Sequence, residues 1–369
     1  MSDVFRPSTR FDDAGWRASL RRKLNTWFQR NARDLPWRRT LDPYHIWVSE
    51  IMLQQTQVVT VIPYFNRFIK KLPTIAKLAA AREEEVLKLW EGLGYYRRAR
   101  QLHRAARLVV ENHRGRFPRD ADEIKSLPGI GRYTAGAIMS IAFDGRQPIL
   151  EANTIRLFSR LAAYEGETSS REGQTLLWEA AELALPQKNI GNFNQALMEL
   201  GSEVCTPRDP RCEQCPLMSL CPTFEHSLQE SIPAQKRQPK YEDVHEATVV
   251  IRRRGQILLR RCDPAERWAG MWDFPRFPLE LNDASPKPHE IALRTRQLTG
   301  LAIEPQQLWC TIKHGVTRFR ITLYCYKSAK VSGNLIKNGS EWKWTKPSKL
   351  TELPLSKTGR QISDMLLKE

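Results

Sequence analysis

Glu50 is the one ionisable side chain in the run Ile46-Trp47-Val48-Ser49-Glu50-Ile51-Met52-Leu53. A helix that is apolar nearly all round is buried. A carboxylate carried into such a place loses its water, its pKa rises, and it stays protonated near neutral pH. That is the state a general acid needs. The rival reading is a structural glutamate paired with a buried arginine. Gln54 falls one turn on, on the same side of the helix, and Gln55 follows it.

A second constellation is Cys205, Cys212, Cys215 and Cys221, spaced C-x6-C-x2-C-x5-C. Four thiolates on one short loop can hold a [4Fe–4S] cube or a zinc ion. A zinc ribbon usually pairs two Cys-x2-Cys knuckles, and only Cys212 and Cys215 form one here, so the spacing favours iron–sulfur. Thr206 to Arg211 carries Arg208 and Arg211 beside two prolines, either a stiff basic loop for a phosphate backbone or a solvated turn. Cys262, Cys310 and Cys325 are scattered and read as core thiols.

Two glycine loops could meet a ligand. In Leu127-Pro128-Gly129-Ile130-Gly131 the glycines let the backbone approach closely, and the helix that follows offers its N-terminus to an anion such as a DNA phosphate. Gly92-Leu93-Gly94-Tyr95-Tyr96 presents Leu93 and the tyrosines as a wedge for a base stack. Arg97, Arg100, Arg104 and Arg107 share the next helix face, which reads first as solvated.

These residues need elements to position them. Helix-spaced apolar residues predict helices over Trp16–Asn31, Pro43–Phe68 (broken at Pro63), Glu83–Trp90, Arg97–Asn112, Thr134–Phe143, Thr154–Ala163 and Gly173–Leu185. The polar, proline-bearing stretch Gln229–Asp243 reads as an exposed linker. Beyond it the texture changes: Glu246–Ile251 and Gln256–Arg261 predict a hairpin about Arg254-Gly255, His289–Leu298 a helix, and Arg318–Tyr326 alternates like a strand. At 369 residues the chain has room for two or three domains, and 58 Lys plus Arg against 41 Asp plus Glu gives +17, pointing to a polyanionic partner. No apolar run approaches the roughly 20 residues of a membrane helix. The polar N-terminus lacks a secretion signal, and clustered rather than paired cysteines fit a reducing, cytoplasmic or nucleoid-associated setting.

In combination, Trp47 to Thr56, Gly92 to Tyr96, Leu127 to Thr134 and the four-cysteine loop resemble the adenine DNA glycosylase (MutY) family of the helix-hairpin-helix superfamily, related to endonuclease III. The resemblance implies a mainly α N-terminal helix-hairpin-helix glycosylase with a [4Fe–4S] loop, plus a C-terminal α+β Nudix-like domain. The expected boundaries are 1–227 for the glycosylase, with a six-helix barrel over 36–148 and an iron–sulfur helical domain from 1–35 with 149–227, then a linker over 228–243 and the 8-oxoguanine reader over 244–369. It implies a monomer that flips adenine out of an A:8-oxoguanine or A:G mispair in double-stranded DNA and hydrolyses its N-glycosidic bond. Carried over position by position, Glu50 matches the acid that protonates adenine. Tyr133 stands where endonuclease III relatives have a catalytic lysine, which favours a monofunctional glycosylase. Gln54, Gln55 and Thr56 match the DNA-contacting end of the motif, and Gln55 and Tyr95 match residues that wedge near the orphaned 8-oxoguanine.

Two departures stand out. The family's second carboxylate is an aspartate in an Asp-Gly-Asn segment opening a helix; here Ile149-Leu150-Glu151-Ala152-Asn153-Thr154 aligns, so the position is Glu151 and a reshaped turn is expected, since glutamate caps helices less well. Asp144 is the weaker candidate. The second half resembles a Nudix-like reader through Trp268 to Pro275, but Ala292 to Leu301 has no carboxylate to hold magnesium. The family's Phe-Ser-His reading loop is Val316-Thr317-Arg318 here: Thr317 keeps a hydroxyl for the N7–H of 8-oxoguanine, the stacking Phe is lost, and Arg318 suits a phosphate. Two other readings remain, an endonuclease III-like glycosylase/lyase and a mispair sensor that binds without cutting.

Overall fold

The computed structural model describes residues 9–234, 240–280, 286–337 and 339–369. By contact the chain divides into two compact units, Met1–Ala80 with Gln101–Arg237, and Ala81–Arg100 with Gln238–Glu369. In chain order the helices are α1 (Thr9–Asp12), α2 (Ala14–Asn31), α3 (Pro43–Leu53), α4 (Val58–Lys71), α5 (Ile75–Ala80), α6 (Glu83–Trp90), α7 (Arg97–His113), α8 (Ala121–Ser126), α9 (Arg132–Phe143), α10 (Ala152–Leu161), α11 (Arg171–Ala184), α12 (Ile190–Glu203), α13 (Pro222–Glu225), α14 (Pro288–Thr299) and α15 (Lys357–Leu366). The strands are β1 (Glu242–Val250), β2 (Arg252–Arg253), β3 (Gln256–Arg261), β4 (Trp272–Asp273), β5 (Arg276–Leu279), β6 (Ala302–Pro305), β7 (Cys310–Val316), β8 (Phe319–Ser332) and β9 (Trp342–Thr345). None of the described helices is long and apolar enough to cross a membrane.

The first unit is helical. α3 starts where Asp42 accepts the Tyr44 N–H and Pro43 takes the first helical position, a place that needs no N–H of its own. Every residue of α3 from Ile46 to Met52 is buried, Glu50 included. The expected break at Pro63 is not there: Pro63 lies inside α4, and the chain turns instead at Gln54–Gln57, with Gln55 at φ 56°. A proline frees the carbonyl four residues back; that residue is Val59, which is 72% exposed, so water can satisfy it.

The sequence reading missed α12. Its Ile190, Phe193, Leu197 and Leu200 are helix-spaced and buried in the core with Leu20, Leu24, Leu157 and Phe158. Glycines disguise it but let it pack closely: a Cβ on Gly191 would come 2.6 Å from the Ser140 carbonyl oxygen, and one on Gly201 would come 2.8 Å from the Asn153 Cβ. The stretch read as an exposed linker is docked at its start. Ile232 is buried, and the carbonyls of Gln229 and Ile232 each accept from the Arg160 guanidinium at 2.9 Å. Residues 235–239 of that stretch lie outside the described residues.

The second unit holds two sheets, one ordered β5-β1-β8-β6 with β7 also on β8, the other β2-β3-β4 with β9 on β3. β1 and β8 are parallel; β5, β6 and β7 pair antiparallel. The alternation read over Arg318–Tyr326 sets the faces: Leu323 and Cys325 join one core with Ile362 and Leu366 of α15, while Tyr326 joins the other with Ile291 of α14. The turn at Arg254-Gly255 exists, but it joins only β2 to β3. The chain leaves β1 at Ile251 and changes sheet there. Helix α6, read as part of the first domain, falls in the second unit by its contacts.

Candidate active site and iron–sulfur loop

A cavity of about 420 Å³ in the first unit is lined by Glu50, Gln54, Gln55 and Thr56 from α3 and its turn, Tyr133 from α9, Glu151 and Asn153 at the start of α10, and Met198 and Glu199 from α12. It thus brings together Glu50, Tyr133 and Glu151, named from sequence positions far apart. Glu50 is 4% exposed. Burial pushes its carboxyl up to about 7 and the nearby Glu151 charge adds to the rise, while a hydrogen bond from Tyr133 and the charge of Arg38 pull the other way. The Tyr133 hydroxyl donates to Glu50 Oε2 at 2.6 Å. Burial lifts Tyr133 well above its ordinary value, so it remains a neutral donor.

Glu151 is the N-cap of α10. Its Oε2 accepts the Asn153 N–H at 2.9 Å and its Oε1 the Thr154 N–H at 3.0 Å, while Thr154 Oγ1 accepts the Glu151 N–H at 2.8 Å. This is a full capping box, so the expectation of a poorer cap is corrected: the extra methylene lets both oxygens reach the helix N-terminus. Burial raises the Glu151 pKa, and the two backbone N–H bonds oppose the rise. They and the helix dipole favour its anion. Asp144 is elsewhere. It ends α9 at φ 51° and takes the N–H groups of Asn189, Ile190 and Gly191, capping α12.

The arginine-paired glutamate weighed as the rival role for Glu50 does exist, but it is Glu199. Burial favours its neutral form, yet hydrogen bonds from Arg33 and Arg38 at 2.8 and 2.9 Å bring it down to about 2. The sequence reading passed over it. Its signal was the one Glu50 gave, a lone charge in Ala196-Leu197-Met198-Glu199-Leu200. Gln54 reaches Thr134 Oγ1 at 3.4 Å from the same wall.

Away from the cavity, Gly129 has φ 81° in the turn between α8 and α9, and Gly131 is the N-cap of α9 with nothing within 4 Å of where a Cβ would sit. Both are exposed, and no side chain caps the first N–H groups of α9, where an anion could be taken. The Gly92–Tyr96 loop belongs to the second unit and corrects one expectation: Leu93 is buried at 6% exposure, and the residue presented is Tyr95 at 49%. At the β7–β8 tip, Thr317 has φ 52° and is exposed. Arg318, expected to suit a phosphate, instead pairs with Glu242 at 3.2 Å and lies 5.1 Å over the ring of Phe319.

The four cysteines of the loop line one small apolar cavity with Leu157, Leu217 and Phe224. Among the described residues no three His, Cys, Asp or Glu side chains are grouped to hold a single metal ion. Four thiols lining one apolar space fit a cluster in which each iron takes one thiolate. Burial pushes Cys215 up to about 12 and Cys221 up to about 11, so their thiolates need a cationic group against them. Arg160 donates to Cys205 Sγ at 3.2 Å, and Arg156 donates to the Cys205 carbonyl at 2.6 Å, tying the loop to α10. Arg208 is exposed, whereas Arg211 is turned onto the Glu203 carbonyl. Protein purified without oxygen is expected to be brown, with broad absorbance near about 400 nm and about four irons per chain; colourless protein carrying one zinc would overturn the assignment.

Three family models match the chain: helix-hairpin-helix (HhH-GPD) superfamily base excision DNA repair protein over residues 48–182, NUDIX domain over 247–365, and iron–sulfur binding domain of endonuclease III over 205–221. The chain is 42% identical over 275 residues to the adenine DNA glycosylase of Rattus norvegicus, covering 72% of this chain and 52% of that protein. It is 36% identical over 256 residues to the adenine DNA glycosylase of Buchnera aphidicola subsp. Schizaphis graminum, covering 69% of this chain and 74% of that protein. A solved structure of a thermostable thymine-DNA glycosylase superposes with a TM-score of 0.53 at 32% identity, over 57% of this chain and 98% of that one. The chain spans about half the length of the mammalian relatives it matches. The segment 205–221 is thus an iron–sulfur binding domain, the second unit carries a Nudix-like domain, and the chain belongs to the adenine DNA glycosylase family of helix-hairpin-helix base excision repair proteins.

Proposed function

We propose that the chain removes adenine mispaired with 8-oxoguanine or guanine in double-stranded DNA, hydrolysing the N-glycosidic bond as a monofunctional monomer. The observation that carries this is a pair of glutamates in one cavity with different settings: burial raises both, but Glu50 in its apolar helix is pushed up to about 7, whereas on Glu151 two backbone N–H bonds at a helix N-terminus oppose the rise and favour the anion. The cavity has the size of a small-molecule pocket, room for one flipped base. Glu50 protonates the leaving adenine, with Tyr133 fixing one of its oxygens so that the other faces the base. Glu151 lies against the sugar cation, as either carboxylate does in glycosidases. Gly129 and Gly131 bind the phosphate backbone, and Thr317 reads 8-oxoguanine through its hydroxyl.

No lysine lines the described cavity, and Tyr133 offers no amine for a Schiff base. This favours hydrolysis over the lyase reading. Under single-turnover conditions the protein is expected to release adenine from an A:8-oxoguanine duplex and to leave no covalent adduct after borohydride. A trapped adduct would establish the lyase, and tight mispair binding without release would establish the sensor.

A further inference from the structure

Helix α6 opens on three acids, and two of them are engaged by residues far down the chain. Glu83 pairs with Arg261 at 3.4 Å, and Glu84 accepts the Trp272 indole N–H at 2.7 Å with Lys343 3.8 Å away. Lys88 donates to the Leu353 carbonyl at 3.2 Å. The tightest contact is at the C-cap: Arg360 of α15 holds Glu91 through two bonds, Nε to Oε1 at 2.6 Å and Nη2 to Oε2 at 3.2 Å. The Glu91 side chain is 11% exposed and that of Arg360 21%, so the pair is largely out of water. A two-point arginine–carboxylate contact fixes direction as well as distance.

Glu91 is followed at once by the loop that carries Tyr95. That loop is bent through three positive φ values, Gly92 at 100°, Gly94 at 74° and Tyr95 at 48°. It is braced from inside by the Gly92 N–H on the Tyr96 hydroxyl and by the Trp90 indole N–H on the Gly94 carbonyl. Arg98 lies over both Trp90 and Tyr95. The loop is thus braced from both ends, by Trp90 at the end of α6 and by Arg98 of α7, whose guanidinium donates to the Gly94 carbonyl at 3.3 Å; the α6 end is joined to Glu91 directly, so the heading of Glu91 bears on the loop.

We propose that Arg360 is a positioning residue: through Glu91 it aims the Gly92–Tyr96 loop, so that the Nudix-like domain sets how Tyr95 enters the base stack beside the mispair. This rests on the glycosylase reading for the meaning of the wedge, not for the ion pair itself.

The test uses the full chain and an A:8-oxoguanine duplex carrying 2-aminopurine beside the mispair, whose fluorescence reports unstacking. Arg360→Met keeps the stem and removes the fork. It is expected to weaken mispair binding about ten-fold and to lower the fluorescence gain, with the single-turnover rate at saturating protein within about two-fold of wild type. Glu91→Gln should do the same, and the double variant should be no worse than either single one, because the two act as one unit. Arg360 also donates to the Leu350 and Leu353 carbonyls, and a purely structural role there would survive Glu91→Gln and make the two losses multiply. Arg360→Lys, which keeps the charge without the fork, is expected to lose at least about three-fold in binding and gives a reading if the methionine variant does not fold. Wild-type binding and fluorescence in both Arg360 variants, or multiplying losses, would overturn the proposal. A wild-type protein that unstacks the probe but releases no adenine would overturn the functional reading and leave this one standing.

Discussion

Glu50→Gln is expected to bind the mispair as the wild type does and to release adenine at least about 10³-fold more slowly. Acid–base terms are worth ~10²–10⁴, and this site leaves nothing to replace the proton. Tyr133 has its proton committed to Glu50 Oε2, Glu199 is an anion between two arginines, and Glu151 spends both oxygens on backbone N–H groups. Glutamine keeps the length and an oxygen for the Tyr133 bond, so the pocket keeps its shape. A 10³-fold loss is about 4 kcal/mol of transition-state stabilisation. Near-normal single-turnover release by this variant would show that Glu50 is not the acid.

The same residue fixes a pH dependence. Only protonated Glu50 can donate, and its pKa is raised from 4.5 to about 7. The wild-type rate should therefore fall as pH rises through about 7, and that limb should be missing from whatever slow reaction the glutamine variant retains. Stability follows the same sign. Between 4.5 and about 7 the folded chain holds a proton that the unfolded chain has lost. The stability Glu50 contributes is thus complete below 4.5 and gone above about 7, where the fold carries a buried charge. Glu50→Gln removes that charge. Thermal melts should show it matching the wild type near pH 5 more closely than near pH 8, where it should be the more stable, by at most on the order of 3 kcal/mol.

What could be read from the sequence, and what could not, follows one rule. Glu50 and the cysteine loop were legible because each breaks its surroundings, a charge in an apolar run and four thiols in a short one. Gly129 was legible because the helix-to-helix turn needs its positive φ, whereas Gly131, with extended backbone, answers no such need. Glu199 carried the same signal as Glu50, but it lies on α12, whose glycines and polar start hid the helix that makes the signal meaningful. The role of α6 was hidden for a different reason. Acids opening a helix look solvated unless their partners are known, and the partners of Glu83 and Glu84, namely Arg261, Trp272 and Lys343, lie far away in sequence. Leu93 was misplaced because a glycine-flanked leucine looks presented; only the fold says which way the loop turns. Local spacing fixes which groups have unusual chemistry, whereas long-range packing fixes what they face.

Glu151→Gln is expected to lose excision about as severely as Glu50→Gln, and for the opposite reason, since here the missing feature is a charge. A carboxylate beside a sugar cation is worth several kcal/mol when held within about 3–3.5 Å of it. The amide also turns a donor toward one of two N–H groups, Asn153 or Thr154, that now share the two oxygens. One cap bond is lost, so the variant should be less stable by about 1 kcal/mol. A melt and a single-turnover assay on the same preparation separate the two effects, because that much destabilisation leaves the chain folded at assay temperature. Glu151→Asp sharpens the point. A reshaped turn, as expected from the sequence, would strand the shorter acid. The turn observed is instead an ordinary capping box, closed by Thr154 from the other side. Aspartate caps such a turn well and keeps the charge, so this variant is expected to retain excision within about ten-fold of the wild type. Wild-type release by Glu151→Gln would remove the second carboxylate from the mechanism. Asp144 could not take its place, because its oxygens are held by the first N–H groups of α12. Glu199 is already neutralised by Arg33 and Arg38. Glu50 would then have to act alone, and the anion held at the start of α10 would serve only to cap it.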